Sequence, residues 1–203
     1  MKVICLTGGL ASGKSTAVKH LGDKGAVIID ADILGHQAYN PSTAAFDEVI
    51  STFGEDVRGD DGQIDRKVLG GKVFGKPEEL RKLTDIVWPE IRRLAELELA
   101  AIADLDPEAI VVLEAAVLFE AGWEDIGEEI WVLTVDRETA IARSMARDNA
   151  PRDEVERRLD SQLSNEVRTS RADVVVTNES DVAAMLKQID SAFAESTAIS
   201  GTG

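Results

Sequence analysis

The segment Leu6–Thr16, LTGGLASGKST, has the residue types and spacing of a loop that binds nucleotide phosphates. Glycines let the backbone close around an anion with inward-pointing N–H groups, and the start of the next helix adds positive potential. Lys14 would neutralise the β- and γ-phosphates, and the Ser15 hydroxyl is a Mg²⁺ ligand. A strand-like run before it and a helix-compatible run after it favour a nucleoside triphosphate site over a glycine-rich turn. The predicted binding residues are Gly8, Gly9, Leu10, Ala11, Ser12, Gly13, Lys14, Ser15 and Thr16.

Two carboxylates, Asp30 and Asp32, follow the next strand-like run in IIDADILGHQAY. Ligands of open α/β sheets lie beyond the carboxyl ends of the strands, so we expect both carboxylates beside the phosphate loop. A carboxylate there can orient or deprotonate an acceptor hydroxyl in phosphoryl transfer, which makes Asp32 a candidate catalytic base. The alternatives are an N-capping role for Asp32 and, for Asp30, a structural pair with Lys14 or Mg²⁺.

Two arginines, Arg143 and Arg147, stand four residues apart and therefore share one face of a predicted helix. A guanidinium over the transferring phosphoryl group would stabilise charge that develops in the transition state. The alternative is salt bridging on the helix surface, because Glu138 and Asp148 lie in the same segment. We expect at least one of the two arginines to act on the nucleotide, with Arg147 favoured as the catalytic one.

The elements that must position these residues alternate along the chain. Short apolar runs predict five strands, and each run is followed by a stretch that can be helical. This order predicts an α/β fold with a five-stranded parallel sheet and helices on both faces. The predicted strands are Val3–Thr7, Ala26–Ile29, Ile110–Leu113, Ile130–Val135 and Ala172–Thr177.

A long, mainly helical section lies between the second and third strands. Asp65 is a plausible N-cap there, Pro77 suits a first helical turn, and Pro89 predicts a kink or a new helix start. We expect one domain over residues 1–203, with a helical substrate-side region over 33–104. The small, polar segment 195–203 is expected to be disordered.

Composition limits the partners. The chain has 38 acidic and 22 basic residues and a formal net charge of -16, which disfavours nucleic acid and anionic membranes. A phosphorylated ligand would need a locally positive pocket. The single cysteine, Cys5, lies in an apolar run and fits a reducing compartment. No apolar run is long enough to span a membrane, so we expect a cytoplasmic protein. The sequence does not indicate an oligomeric state.

Six motifs, in this order and spacing, resemble the dephospho-CoA kinase family. They are LTGGLASGKST, IIDADILGHQAY, DGQIDRKVLGGKVFG, LEAAVLFEAGW, ARSMARDNAPRDEVERRLDSQ and ADVVVTN. The resemblance covers nearly the whole chain. It implies a P-loop kinase core that uses ATP and Mg²⁺ to phosphorylate the ribose 3′-hydroxyl of dephospho-CoA. It also implies a helical region on the CoA side and a mobile lid, which we place at 143–168.

The resemblance also implies roles for individual residues. Asp32 becomes the acceptor-side base, and Arg66 lies near the CoA substrate unless it is only an exposed first-turn helix residue. Glu114 is a candidate Mg²⁺ carboxylate, with a plain strand-end charge as the alternative. Asn178 is expected near the adenine, although asparagine is also common where strands end.

Three departures from the family pattern stand out. They are Leu10-Ala11 in place of Ile-Gly, Trp88-Pro89 in place of His-Pro, and Glu114–Val117 in place of Asp-x-Pro-Leu. The segments TDIVWPEI and EAAVLFEAGW are most similar to the kinase half of bifunctional CoA synthase. We expect the reaction to be unchanged and assign no role to Trp88.

Two other interpretations remain open from the sequence. The same fold could phosphorylate another acceptor, such as a nucleoside monophosphate, shikimate or gluconate. Alternatively, the chain could be a nucleotide-dependent switch, although it lacks the Asn-Lys-x-Asp motif by which such proteins usually recognise guanine. Release of ADP that depends on a defined acceptor would separate these possibilities.

Overall fold

A computed structural model describes residues 1–179 and 181–200, with side chains up to residue 198. The chain divides into two compact units. The first comprises Met1–Ile29 with Ile102–Gly203, and the second is Asp30–Ala101. The second unit nearly coincides with the region 33–104, for which the sequence predicts mainly helices.

A five-stranded parallel sheet, in the order β2-β3-β1-β4-β5, organises the fold. Strand β1 lies between β3 and β4, with Leu6 opposite Glu114 on one side and Trp131 on the other. All five strands lie within two residues of the predicted bounds, so the predicted fold class is confirmed. The strands are β1 (Lys2–Gly8), β2 (Val27–Asp30), β3 (Ile110–Glu114), β4 (Glu129–Thr134) and β5 (Val174–Thr177).

Helices occupy most of the remaining described chain. One short 3-10 helix, Glu55–Val57, lies between two α-helices, and another, Glu124–Ile126, lies between β3 and β4. No helix in the described ranges is long and apolar enough to cross a membrane. The α-helices are α1 (Lys14–Asp23), α2 (Ala31–Gln37), α3 (Ala44–Phe53), α4 (Arg66–Val73), α5 (Pro77–Leu105), α6 (Arg137–Asp148), α7 (Arg152–Asp160), α8 (Asn165–Thr169) and α9 (Val182–Ser200).

The core of the first unit explains why its strands are apolar runs rather than alternating patterns. Helices α1 and α9 contribute Leu21 and Met185 to a cluster with Ile4 and Trp131 of the sheet, all fully buried. Parallel strands covered on both faces must be apolar at successive positions. The central strands are therefore fixed in place by side chains on both faces, and the loops at their ends rest on a rigid support.

The helices of the second unit begin where short polar side chains can cap them. The Asp65 carboxylate accepts hydrogen bonds from the backbone N–H groups of Lys67 and Val68, which confirms the predicted N-cap of α4. Helix α5 begins at Pro77, as predicted. It continues through Pro89 to Leu105, so no new helix starts there.

The predicted disorder over 195–203 was wrong for residues 195–200, because α9 extends to Ser200. Ser196 is buried, and its hydroxyl donates a hydrogen bond to the Glu129 carboxylate of β4 at 2.8 Å. Phe193, one turn earlier, packs against the core. Contacts with the sheet therefore hold in place a segment whose sequence shows no pattern of buried residues. Residues 201–203 lie outside the described residues.

Candidate functional site

The phosphate loop connects β1, which ends at Gly8, to α1, which begins at Lys14. Because β1 is flanked by β3 and β4, the loop lies where the strand order reverses, the usual ligand position in such sheets. The Lys14 ammonium donates hydrogen bonds to the carbonyl oxygens of Gly8 at 2.9 Å and Gly9 at 3.4 Å. The lysine side chain thus folds back over its own loop, and its ammonium group can form an ion pair with an anion bound there.

Two positions show how closely the loop is packed. Gly13 has φ 101°, and a Cβ there would lie 2.5 Å from Nδ2 of Asn178, so only glycine fits. Ala11 has φ 56°, a left-handed conformation in a residue that carries a Cβ. This is the position where the family often has glycine. A left-handed conformation costs a residue with a Cβ about 1–2 kcal/mol.

Asn178 supports this loop from the end of β5. Its side chain is buried, and Nδ2 donates a hydrogen bond to the Ser12 carbonyl oxygen at 2.9 Å. Its Oδ1 accepts a hydrogen bond from Nη2 of Arg143 at 3.4 Å. These contacts favour a supporting role for Asn178, and a contact with adenine stays a prediction.

Both predicted arginines of α6 lie beside the loop. Arg143 and Arg147 line a cavity of about 380 Å³ whose other lining residues are 11–16. Arg147 also donates two hydrogen bonds to Asp148, at 2.7 and 2.9 Å, and these hold the pKa of that carboxyl below its usual range. The salt bridge that the sequence offered as an alternative is therefore present, and Arg147 nevertheless lines the cavity beside the loop.

A second cavity, of about 360 Å³, borders the start of the loop at Gly9 and Leu10. The Gln162 side chain accepts a hydrogen bond from the Leu10 N–H at 3.0 Å. Arg168 lines the same cavity and is only 2% exposed. Gln162 and Arg168 were not among the predicted site residues, because a polar residue in a stretch of charged residues gives no sign that tertiary packing brings it to the loop.

Asp32 lies in the first turn of α2, in the second unit, and its side chain is exposed. The helix is capped by Asp30, whose Oδ1 accepts from the N–H groups of Asp32 at 2.8 Å and Ile33 at 3.2 Å. The alternative of Asp32 as the N-cap was therefore wrong. The capping role belongs to Asp30, and the Asp32 carboxylate does not cap this helix.

Arg66 is the first residue of α4 and is exposed. Its guanidinium carbon lies 5.8 Å from the centre of the Tyr39 ring, and Nη2 donates to the His36 carbonyl oxygen at 3.5 Å. These residues, with Lys67, line a cavity of about 450 Å³ within the second unit. The unit thus contains a concave, basic and aromatic surface, of a kind that suits an anionic, ring-containing ligand.

The two residues proposed for Mg²⁺ supply oxygen atoms at adjoining parts of the first unit. Ser15 is exposed in the first turn of α1, and Glu114 ends β3 opposite Leu6 of β1, two residues before Gly8. Within the described residues no three His, Cys, Asp or Glu side chains cluster as a metal site. A hydroxyl and a carboxylate beside a phosphate loop fit Mg²⁺, which usually takes one or two protein ligands and substrate phosphates.

Cys5 does not belong to this chemistry. It is fully buried in β1, and burial raises the pKa of its thiol to about 12, although the Gly127 backbone partly opposes this. A thiol that stays protonated is a poor nucleophile. Cys5 is a core residue, as the apolar run around it predicts.

Comparisons with known proteins agree with this geometry. The sequence model described as dephospho-CoA kinase matches residues 2–184. A relative named dephospho-CoA kinase, from Geobacter sulfurreducens, is 42% identical over 195 residues, which cover 96% of this chain and 98% of the relative.

Two solved structures are also similar to this chain. TT1252 from Thermus thermophilus has a TM-score of 0.78 and 30% identity, covering 96% of this chain and 97% of its own. The dephospho-CoA kinase from Campylobacter jejuni has a TM-score of 0.71 and 27% identity, covering 95% and 96%. The chain is therefore similar to these proteins along nearly its whole length, and it belongs to the dephospho-CoA kinase family.

Proposed function

We propose that this protein transfers the γ-phosphate of ATP to the ribose 3′-hydroxyl of dephospho-CoA, producing CoA and ADP. One observation carries most of the proposal: the family match spans both the phosphate loop and the helical second unit. A match restricted to the loop would support only nucleotide binding. The match also favours this acceptor over shikimate, gluconate or a nucleoside monophosphate.

ATP binding rests on the first unit. Backbone N–H groups of the loop and the start of α1 bind the phosphates, and Lys14 places its charge near the β- and γ-phosphates. Arg143 and Arg147 line the adjoining cavity and add positive charge. This supplies the locally positive pocket that a chain of net charge -16 needs in order to hold a polyphosphate. An ATP-dependent enzyme of this kind fits the expected cytoplasmic location.

The acceptor chemistry rests on Asp32. Its carboxylate would accept the proton of the acceptor 3′-hydroxyl while that oxygen forms a bond to the γ-phosphorus. The bond from the γ-phosphorus to the bridging oxygen breaks, and ADP leaves with that electron pair. The role is supported by the position of Asp32 after β2 and by its freedom from helix capping. The basic and aromatic cavity at Arg66 is the proposed contact region for the rest of dephospho-CoA.

Mg²⁺ would be held by the Ser15 hydroxyl and the Glu114 carboxylate together with nucleotide phosphates. When bound, it would offset phosphate charge and favour an in-line arrangement of the reacting oxygens. The protein's own contribution is to supply two oxygen ligands at the carboxyl edge of neighbouring strands β1 and β3.

The lid at 143–168 would exclude water, which otherwise competes with the acceptor for the phosphoryl group. Helix α7 suits such a role, because Val155 is its one fully buried residue. Its other links to α6 are exposed ion pairs, such as Arg152 with Glu138 at 2.8 Å and Arg158 with Asp148 at 3.4 Å. Exposed ion pairs contribute little stability, so α7 can move at low cost.

The test is ADP release with Mg-ATP over a panel of dephospho-CoA, shikimate, gluconate and adenosine monophosphate. We expect dephospho-CoA alone to stimulate release. The matched control is Lys14→Ala, which removes the loop cation and should abolish transfer without unfolding the protein. Equal ADP release with every acceptor, or with none, would reject the proposed substrate, and full activity of folded Lys14→Ala would reject the loop assignment.

A further inference from the structure

Arg168 is a buried cation that the described residues satisfy only in part. Its side chain is 3% exposed, and Nη1 donates a hydrogen bond to the Leu163 carbonyl oxygen. Neither Nε nor Nη2 has a hydrogen-bond partner among the described residues. Oε1 of Glu120 lies 3.9 Å from Nη2, which is close enough for an ion pair but too far for a hydrogen bond.

Such an arrangement is costly for a group that has no function. A guanidinium carries five N–H donors and remains charged, so burying it with donors unpaired forfeits hydration without replacing it. A buried charge that is left without its partner strongly destabilises typical proteins. The unpaired donors of Arg168 therefore point to a hydrogen-bond acceptor that the described residues do not supply.

The surroundings of Arg168 indicate the chemistry of that partner. A Cβ built on Gly9 of the phosphate loop would lie 3.3 Å from Nη1, so the guanidinium rests directly against the loop backbone. Two residues of the same segment bond to neighbouring backbone groups. Gln162 accepts a hydrogen bond from the Leu10 N–H, and the Asn165 side-chain amide donates one to the Val135 carbonyl oxygen. The segment 162–168 is thus tied to the loop and to the end of β4, and it holds Arg168 at one place.

The two cavities next to the loop are lined by different cations. Arg143 and Arg147 border residues 11–16, whereas Arg168 borders Gly9 and Leu10. Arg137 also lines the second cavity but pairs with Asp160 at 2.8 Å. A phosphate that Arg168 contacts therefore lies at the opposite end of the loop from those that Arg143 and Arg147 contact.

Two carboxylates line the same cavity, and their negative charge would repel a bound anion unless other groups offset it. The Asp136 carboxylate accepts from the Thr139 N–H and caps α6, and hydrogen bonds with Thr139 hold its pKa below the usual range. The Glu166 carboxylate faces the start of α8, where hydrogen bonds to its own backbone and to Ser164 lower its pKa. Groups at helix N-termini thus stabilise both negative charges. Among the cations that line this cavity, Arg168 has N–H donors without a hydrogen-bond partner in the described residues.

We propose that Arg168 is a further phosphate-binding residue of this site, whose guanidinium donates hydrogen bonds to a phosphate group held beside Gly9. The assignment rests on the proposed function, because the phosphate is either the γ-phosphate of ATP or the pyrophosphate of the acceptor. Both present the same chemistry to a guanidinium fork, namely two anionic oxygens.

The experiment compares binding of ADP, a non-hydrolysable ATP analogue and dephospho-CoA by calorimetry in Arg168→Met and the parent protein. If Arg168 contacts the γ-phosphate, affinity for the ATP analogue falls by about 10- to 100-fold while ADP affinity is kept. If it contacts the acceptor, dephospho-CoA affinity falls by that amount and both nucleotides bind as before. Arg168→Lys, which restores charge without the fork, should recover part of the loss.

The matched control is Arg171→Met. Arg171 lies three residues further on, pairs with Glu124 and stacks over Phe119 at 4.5 Å, outside both cavities. It should bind all three ligands normally. Parent-like affinities in Arg168→Met, or an equal loss for ADP and the ATP analogue together with a lowered melting temperature, would overturn the proposal. Turnover of dephospho-CoA by the parent protein tests the proposed function separately, since nucleotide binding does not require the acceptor.

Discussion

Asn178 donates a hydrogen bond from Nδ2 to the Ser12 carbonyl oxygen at 2.9 Å and thereby ties the end of β5 to the middle of the phosphate loop. The contact joins residues 166 positions apart in the chain. The hydrogen bond is buried, so losing the Asn178 donor would leave that carbonyl oxygen with an uncompensated desolvation cost. The loop geometry therefore depends on a strand at the far side of the sheet from β2.

We expect Asn178→Ala to lower the free energy of unfolding by about 1–3 kcal/mol, because a buried carbonyl loses its donor. It should also weaken ATP binding, because the loop and Arg143 lose their common support. Denaturant unfolding and calorimetry measure the two effects. A variant with parent-like stability and ATP affinity would show that this contact does not support the loop.

Asp32→Asn tests the proposed base. The substitution keeps size and hydrogen bonding but removes the charge that accepts a proton, so kcat with dephospho-CoA should fall by ~10²-fold or more. ATP affinity should persist, because the proposed contact is with the acceptor. Asp30→Asn is the control for the helix cap, since asparagine and aspartate cap about equally well. Unchanged kcat in Asp32→Asn would remove Asp32 from the mechanism.

The lid should respond to both substrates together. Hydrogen exchange over residues 150–164 is expected to slow when ATP analogue and dephospho-CoA are bound, because closure shields a segment held mainly by exposed ion pairs. Helix α1, anchored in the core, serves as the internal reference. Exchange that is the same with and without saturating ligands would contradict a closing lid.

The Glu129 network gives a prediction about pH. Burial raises the pKa of Glu129, but hydrogen bonds from Lys2, Trp131 and Ser196 outweigh it, and the net pKa is lowered. A carboxyl whose folded pKa is below its unfolded value, about 4.3, stabilises the protein above that pH. This contribution is lost as the pH falls through the folded pKa.

The measurement is the difference in unfolding free energy between the parent protein and Glu129→Gln. It should be largest near neutral pH and should shrink below about pH 4. Glu108→Gln, at an exposed position before β3, should show little effect at any pH. A Glu129→Gln difference that stays constant down to the folded pKa and beyond would contradict the assignment.

Local signals in the sequence were sufficient for the strands, the phosphate loop and the Asp65 cap, because each depends on neighbouring residues alone. Local signals were not sufficient where tertiary packing determines whether a segment is ordered or where a side chain lies. Ser196 is ordered by Glu129 of β4, and Arg168 is carried to Gly9 by the folding of 162–168 onto the loop. The sequence offered Asp32 as a possible N-cap and Asp30 as a partner of Lys14 or Mg²⁺, whereas α2 begins at Ala31 and is capped by Asp30.

The central claim is that the loop-held phosphoryl group goes to dephospho-CoA. Phosphorus NMR of a reaction containing Mg-ATP, dephospho-CoA and the protein tests it most directly. We expect ADP and a new phosphomonoester resonance on the ribose 3′ oxygen to appear in equal amounts. ADP with free inorganic phosphate and unchanged dephospho-CoA would contradict the account and would indicate a nucleotide hydrolase or switch instead.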